Sequence, residues 1–527
     1  MKKQLLLGDE AIARAAIDAG ISGVYAYPGT PSTEITEYIQ HISKIENLKI
    51  ASKWASNEKT AMEEALGMSY VGKRALCCMK HVGMNVAADA FINSAMTGVR
   101  GGLVVVAADD PSMHSSQNEQ DSRFYGQFAM IPMVEPSNQQ EAYDMTRMAF
   151  DLSEQFNIPV LLRITTRLAH SRSGVSMEMK REQNALSLPE NSSNFILLPA
   201  LARKRYKELL AAQDKFEKAS LESKYNIYYD GNDKSKGIIA SGIAYNYLME
   251  CFPEGTDYPI LKISQYPLPL ELFSKMADEC QEILVLEEGA PFIEQQLRGL
   301  LDRGLNIKGR IDLTIPRDGE LNPDIVAKAL GLKTYEGVSI PEIVAPRPPA
   351  MCQGCGHTDM YNALNEVVRK YENHRIFGDI GCYTLGALPP YRAIHSCVDM
   401  GASITMAKGA SDGGLWPAVA VIGDSTFTHS GMTGLIDCVN SNSDVTIIIS
   451  DNETTGMTGG QDSAGTGKIE AIVVGLGVDP AHIRVFEPLK KNMEQMKQII
   501  DEEINYHGVS VIIPRRECIQ TLKRKKK

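Results

Sequence analysis

Three groups of residues have types and spacings that could do chemistry. The first is Gly423-Asp424-Ser425 together with Asp451-Asn452, with 25 residues between Ser425 and Asp451. Each pair follows an apolar run, Ala418–Ile422 or Val445–Ser450. Each is therefore expected at the C-terminal end of a buried strand, where ligands bind in open α/β sheets. A carboxylate and an amide oxygen from neighbouring strand ends suit Mg²⁺, with phosphate oxygens completing the shell. Asp424, Asn452 and Thr454 are the candidate Mg²⁺ ligands. Gly423 would let backbone approach a phosphate closely, and Met457-Thr458-Gly459-Gly460-Gln461 adds a loop rich in N–H groups. An ordinary strand-end turn is the structural alternative.

The second group is Cys352-Gln353-Gly354-Cys355-Gly356-His357, then Cys382, then the distant Cys518, a C-x2-C-x26-C pattern with a late fourth thiol. Four thiolates suit Zn²⁺ or a [4Fe–4S] cluster, and C-x2-C alone can also be a redox dithiol. The third is Glu58, which follows Trp54 and opens an Ala-rich helix. A carboxylate held in apolar surroundings can share a proton with a cofactor nitrogen. A helix-start acid favoured by the dipole is the plainer reading.

These residues need a scaffold of strands and helices. Val24–Tyr27, Leu103–Ala107 and Pro159–Ile164 read as buried parallel strands, with a helix from Gly8 to about Gly20. This first α/β block covers 1–180. Residues 181–235 are polar, with a helical run Leu201–Lys224, and are expected to be a connector. A second block, 236–340, has strands Gly237–Ala240 and Ile283–Leu286 and helices Tyr245–Cys251 and Ile293–Leu301. The Pro-rich stretch Ile340–Pro349 reads as a linker. The third block, 350–527, adds the strand Val509–Ile513. The expected fold is α/β, with three doubly wound domains.

Composition narrows the class. The chain has 527 residues, 54 Lys plus Arg against 65 Asp plus Glu, and a net charge of −11. That balance argues against nucleic-acid or polybasic membrane binding. The basic run at 523–527 reads as a solvated tail. No apolar stretch reaches the ~18 residues of a membrane span, and the start is too short in apolar residues for a signal peptide. A cytoplasmic location is expected. Ten Cys in this length do not make a disulfide scaffold.

The Gly423/Asp424 and Asn452 pattern resembles the thiamin diphosphate motif, from which Ser425 and Asp451 depart. Further runs carry a second resemblance: Tyr27-Pro28-Gly29-Thr30-Pro31-Ser32, Asn57-Glu58-Lys59, Met79–Asn85, Asp109-Asp110-Pro111 and His114–Asp121. In order and nearly end to end, from Gly8 to Cys518, they resemble the large subunit of the indolepyruvate:ferredoxin oxidoreductase family, of the 2-oxoacid:ferredoxin oxidoreductase superfamily. The resemblance implies that the first and third blocks are thiamin-binding domains of pyrimidine and diphosphate type, and the second a transketolase C-terminal-like domain. It implies that Glu58 partners the aminopyrimidine, and that Thr30 and, more weakly, Arg123 face the substrate. It places His357 and Cys382 beside thiamin, and Cys352, Cys355, Cys382 and Cys518 around a [4Fe–4S] cluster, with Cys397 as reserve fourth ligand. Gln353 stands where the family commonly has Pro.

The activity so implied is oxidative decarboxylation of aryl 2-oxo acids such as indolepyruvate. Thiamin diphosphate and Mg²⁺ serve the chemistry, coenzyme A takes the acyl group, and electrons leave through the cluster to ferredoxin. A small (beta) subunit is the expected partner. The family's C-terminal ferredoxin-like domain, with two C-x2-C-x2-C-x3-C runs, is not seen in this sequence, so another polypeptide or the one internal cluster must deliver the electrons. The rival readings are a non-oxidative thiamin-dependent 2-oxo acid decarboxylase or carboligase, needing no cluster, and a non-catalytic partner subunit.

Overall fold

The structure is a computed structural model describing residues 3–188, 192–299, 304–334, 337, 339–345, 350–397, 399–412 and 414–525. Leu301, Pro346, Pro348, Pro349, Lys526 and Lys527, which figured in the expected helix, linker and tail, lie outside the described residues. The chain divides into two compact units, Met1–Val338 and Ser339–Lys527. Among the described residues no helix is long and apolar enough to cross a membrane.

The first unit contains a seven-stranded sheet. Its order is Gln265–Tyr266, Met133–Val134, Val160–Thr165, Leu103–Asp109, Ala75–Lys80, Gly23–Ala26, Ala51–Trp54. All neighbours are parallel except the first pair. The three central strands are buried at every residue. Alternate side chains explain this: Leu76, Cys78, Val104 and Val106 enter one core, while Cys77, Met79, Val105 and Ala107 enter the other. Helices cover both faces, so the strands are continuous apolar runs rather than alternating ones.

A five-stranded sheet follows in the same unit, ordered Ile307–Lys308, Ile283–Leu286, Gly237–Ser241, Ile260–Ile263, Ile227–Tyr229. The first two expected blocks are thus two sheets of one unit, and the segment 181–235 is built into it. Helix Pro199–Leu221 buries Leu209 and Phe216 in the core shared by both sheets, and strand Ile227–Tyr229 pairs antiparallel with Ile260–Ile263. The strand Gln265–Tyr266 crosses into the seven-stranded sheet.

Buried charge also ties the two sheets. Arg123 and Arg163 are almost wholly inaccessible. Arg163 donates to Asp109 Oδ2 at 2.7 Å and also pairs with Glu135. Arg123 donates to Asp121, to Glu287 Oε2 at 2.9 Å and to the carbonyls of Glu288 and Ala290, both at 3.0 Å. Arg123 was expected as a substrate contact; its guanidinium is instead spent on the segment that follows strand Ile283–Leu286. Burial pushes Asp121 up, but the two guanidinium groups outweigh it and hold the carboxyl at about 2. Burial dominates at Asp109 and Glu287, whose carboxyls are raised.

The second unit is a six-stranded, all-parallel sheet: Ser396–Cys397, Arg375–Gly378, Ala418–Gly423, Val445–Ser450, Val509–Pro514, Ile483–Phe486. Strand order reverses between Arg375–Gly378 and Ala418–Gly423, because the chain leaves the first outward to Ser396–Cys397 before returning. Such a switch point opens a crevice at the carboxyl ends of the two strands.

Removing one member of a buried ion network leaves its partners charged and unpaired, at a cost of ~3–5 kcal/mol. Arg123→Ala should lower the unfolding free energy of the first unit by about that amount, read by denaturant titration of the full chain. Arg123→Lys should recover only part, since an ammonium cannot make the same forked contacts. An unchanged midpoint for Arg123→Ala would contradict this account.

Candidate active site

In the second unit Gly423-Asp424 ends one strand of the switch point, and Asp451-Asn452 follows the adjacent strand. Strands Ala418–Gly423 and Val445–Ser450 pair with Gly423 opposite Ser450, so Asp424 and Asp451 leave the sheet side by side. Asp424 is 2% exposed, and its Oδ2 is buried with no hydrogen-bond partner. Burial first, then the neighbouring Asp451, raise its pKa to about 7, against hydrogen bonding from Ser463. An orphaned, buried carboxylate oxygen at a strand end is what a divalent cation would satisfy, so the donor set fits Mg²⁺. Asn452 Oδ1 accepts from Thr454 N at 3.2 Å, and Thr454 Oγ1 donates to Gln461 O at 2.8 Å. Between them Glu453 adopts φ 60, a strained turn of the kind kept at binding loops. Ser425 Oγ lies 2.9 Å from Thr455 Oγ1.

Asp451, the departure from the strict motif, is committed elsewhere: Arg515 Nε donates to its Oδ2 at 2.7 Å. Gly423 was expected to admit a phosphate. An added Cβ there would stand 2.7 Å from a ring carbon of Tyr383, so the glycine also makes room for that ring. Tyr383 OH donates to Asp379, which also accepts from the backbone N–H groups of Gly401 and Ser403, each at 3.2 Å. This Asp379–Tyr383 bracket went unassigned in sequence; the buried polar Asp379 just after an apolar strand was the available signal.

The four thiols assemble on the same unit. Cys352, Cys355, Cys382 and Cys518 line one cavity of about 170 Å³, together with His357 and Asn452. Cys355 N donates to Cys352 O at 3.0 Å, closing the C-x2-C turn, and Gly354 supplies the left-handed φ of +80° inside it. Cys355 then caps helix Gly356–Val368. Cys382 follows the strand Arg375–Gly378 at the switch point. Cys518 is brought in by the backbone: Arg516 N donates to Asp451 O at 2.9 Å and Cys518 N to Asn452 O at 3.1 Å. The segment bearing a candidate Mg²⁺ ligand is therefore zipped to the segment bearing a thiol. An added Cβ on Gly456 would stand 3.2 Å from Cys382 Sγ, which puts the same loop against a second thiol. Cys397, the reserve candidate, instead points its Sγ at Asp379 O, 3.7 Å away.

The electrostatics agree with this grouping. Burial raises Cys382 to about 12, and the three other thiols of the set add to it. His357 is buried, and burial lowers it to about 4, so it is neutral at ordinary pH. Its ring meets Tyr383 edge to face at 6.3 Å.

In the first unit Glu58 is 5% exposed and begins helix Glu58–Tyr70, capped by Asn57 Oδ1 accepting from Thr60 N at 2.8 Å. Its carboxylate packs on Gly83 of helix His81–Thr97. A Cβ there would stand 2.7 Å from Glu58 Oε1, so the Met79–Asn85 motif makes the room that Glu58 occupies. Thr30 sits in the turn after strand Gly23–Ala26, half-buried, its carbonyl 3.5 Å from Ser115 Oγ. Lys80, missed as a candidate, closes the same corner. It is 8% exposed, and its Nζ donates to Ser115 O at 2.6 Å. A Lys ending an otherwise apolar strand was the signal.

A pH dependence follows from Asp424 and Asp379, the latter raised by burial to about 6. Without cofactor the folded state binds more protons than the unfolded chain between the ordinary carboxylate range, ~4, and about 7. Stability of the second unit should therefore fall as pH rises through that window and level off above it. Mg²⁺ with thiamin diphosphate should flatten the slope by displacing the Asp424 proton. Urea midpoints measured across the window with and without both additives test this; equal slopes would contradict it.

Comparisons with known proteins match both units. Residues 14–207 match the family model "Pyruvate flavodoxin/ferredoxin oxidoreductase, thiamine diP-bdg". Residues 379–513 match "Thiamine pyrophosphate enzyme, C-terminal TPP binding domain". The chain is 40% identical to the indolepyruvate oxidoreductase subunit IorA of Archaeoglobus fulgidus, over 98% of this chain and 86% of that one. It is 38% identical to that of Methanothermobacter marburgensis and 37% to that of Thermococcus kodakarensis, with the same coverage. A solved 2-oxoglutarate:ferredoxin oxidoreductase from Magnetococcus marinus aligns at TM-score 0.46 and 16% identity, over 58% of this chain and 62% of that chain. With two thiamin diphosphate family models and near full-length identity of this order, the chain belongs to the indolepyruvate oxidoreductase subunit IorA family, in the 2-oxoacid:ferredoxin oxidoreductase superfamily.

Proposed function

We propose that this chain is the large subunit of an oxidoreductase that converts aryl 2-oxo acids of the indolepyruvate type, with coenzyme A, into CO₂ and the aryl acyl-CoA. The reaction releases two electrons, and ferredoxin is the proposed acceptor. A small subunit completes the enzyme. The observation that carries this reading is the four-thiol cavity whose wall includes Asn452. A decarboxylase or carboligase without electron transfer has no use for four converging thiols beside its diphosphate anchor.

One feature supports a cluster over a single Zn²⁺. Among the described residues no three of the four Sγ atoms lie mutually within 4.8 Å, whereas tetrahedral Zn–S bonds of ~2.3 Å bring sulfurs to ~3.8 Å of each other. A [4Fe–4S] cluster held by Cys352, Cys355, Cys382 and Cys518 fits the spacing better.

Asp424, Asn452 and Thr454 would hold Mg²⁺, and Glu58 would hold a proton at the aminopyrimidine nitrogen. Thiamin diphosphate, when bound, supplies the electron sink that makes decarboxylation next to a carbonyl feasible. The buried His357, held neutral by its burial, adds no charge of its own to the thiol cavity, which Arg516 also lines. The buried Glu58 is set by Gly83 and its helix start, which fixes the carboxylate before any ligand arrives. Thr30 would face the substrate.

Anaerobically purified Cys518→Ser should fall well below about four irons per chain, while Cys397→Ser should match the wild type; the reverse would overturn the ligand set. Glu58→Gln should keep iron and folding but lose at least ~100-fold in aryl 2-oxo acid oxidation with the small subunit present, the low end of what a positioned proton-transfer group contributes. Gly83→Ala should impair activity in the same way by displacing the carboxylate. Full activity in Glu58→Gln would remove that residue from the mechanism.

A further inference from the structure

Three titratable side chains meet in the first unit apart from the residues assigned above. Asp9 is in the first turn of helix Gly8–Asp18 and Glu34 in the first turn of helix Thr33–Ile45. His170 ends the short helix Thr166–His170. One ligand atom from each lies within 4.8 Å of the other two, and His170 Nε2 stands 3.5 Å from Glu34 Oε1. Asp9 is 0% exposed, and neither of its carboxylate oxygens has a hydrogen-bond partner. Glu34 Oε2 is also buried without one.

A buried carboxylate with both oxygens unserved is rare, because burial removes water and nothing replaces it. A second carboxylate nearby makes it worse. Burial, then Glu34 and Glu10, push the Asp9 carboxyl well above the usual range, while the bond to His170 lowers Glu34 and raises His170. A cation among the three would give the Asp9 carboxylate a partner and offset the repulsion between the two carboxylates. Two carboxylates and one imidazole suit borderline divalent ions; Mg²⁺ and Ca²⁺ favour oxygen-only shells.

We propose that Asp9, Glu34 and His170 form a binding site for a divalent transition-metal ion of the Zn²⁺ or Mn²⁺ class, separate from the Mg²⁺ and cysteine sites. The His170 side chain, 35% accessible, gives the ion a route in and leaves room for a water ligand. The ion would fasten the starts of two long helices. It would also brace the turn containing Thr30, since Gly29 N donates to Thr33 Oγ1 at 2.9 Å, next to Glu34.

The test uses the full chain, loaded anaerobically with iron, Mg²⁺ and thiamin diphosphate. It is dialysed against Zn²⁺ or Mn²⁺, then against metal-free buffer, and analysed for metals. Wild type should retain one more equivalent of Zn²⁺ or Mn²⁺ per chain than His170→Ala, Glu34→Gln or Asp9→Asn. The added ion should raise the thermal midpoint of wild type alone. His170→Ala alters an accessible residue, so it decides the matter even if a buried variant fails to fold; unchanged iron content confirms its integrity. Equal retention in wild type and His170→Ala would overturn the site. No retention, with Asp9→Asn raising the thermal midpoint, would overturn it too and identify a carboxyl pair sharing a proton.

Discussion

The register between strands Ala418–Gly423 and Val445–Ser450 is the constraint on which the second unit's chemistry rests. Placing Gly423 opposite Ser450 puts Asp424 and Asp451–Asn452 at one level of the sheet edge. A slip of one residue would turn one member of the pair to the other face. The slip is resisted because both strands are buried on both sides, Val421 and Ile448 in one core, Ile422 and Ile449 in the other. The same sheet edge then organises the thiols. Asp451 and Asn452 offer their carbonyls to Arg516 and Cys518, and the reversal of strand order brings Cys382 to the same crevice.

In the first unit positioning is done differently. Glu58 is set by packing, with Gly83 leaving the space its carboxylate fills. The sheets around it are held by apolar cores and by the Arg123 and Arg163 network. That network is stable only while every member stays paired, since its charges are far from water. Rigidity here would serve orientation: in the proposed role, a buried carboxylate that meets one cofactor nitrogen gains from losing its freedom before binding.

Much of this was legible in the residues. Apolar runs ended by Gly-Asp and Asp-Asn announce strand ends, and C-x2-C announces a turn that holds two thiols close together. Pairings far apart in sequence were not legible. Arg123 looks like any Arg near a loop until Glu287 and the Glu288 and Ala290 carbonyls, more than 160 residues away, are seen to surround it. The stretch 181–235 reads as polar because helix Pro199–Leu221 exposes most of its surface and buries only Leu209, Phe216 and Ser220. Cys518 and Cys397 differ only through backbone hydrogen bonds and strand placement. Asp9 sits on an apolar helix face and looks like a capping acid until its lack of partners is visible.

The central claim is that the thiol cavity accepts electrons from a reaction on an aryl 2-oxo acid. The most direct measurement is electron paramagnetic resonance of the anaerobic large and small subunits together, with thiamin diphosphate and Mg²⁺, before and after indolepyruvate and coenzyme A are added. The account predicts a reduced [4Fe–4S] signal that appears with substrate and is lost in Cys518→Ser. Substrate consumption with CO₂ release but no iron signal, in protein never exposed to oxygen, would contradict it.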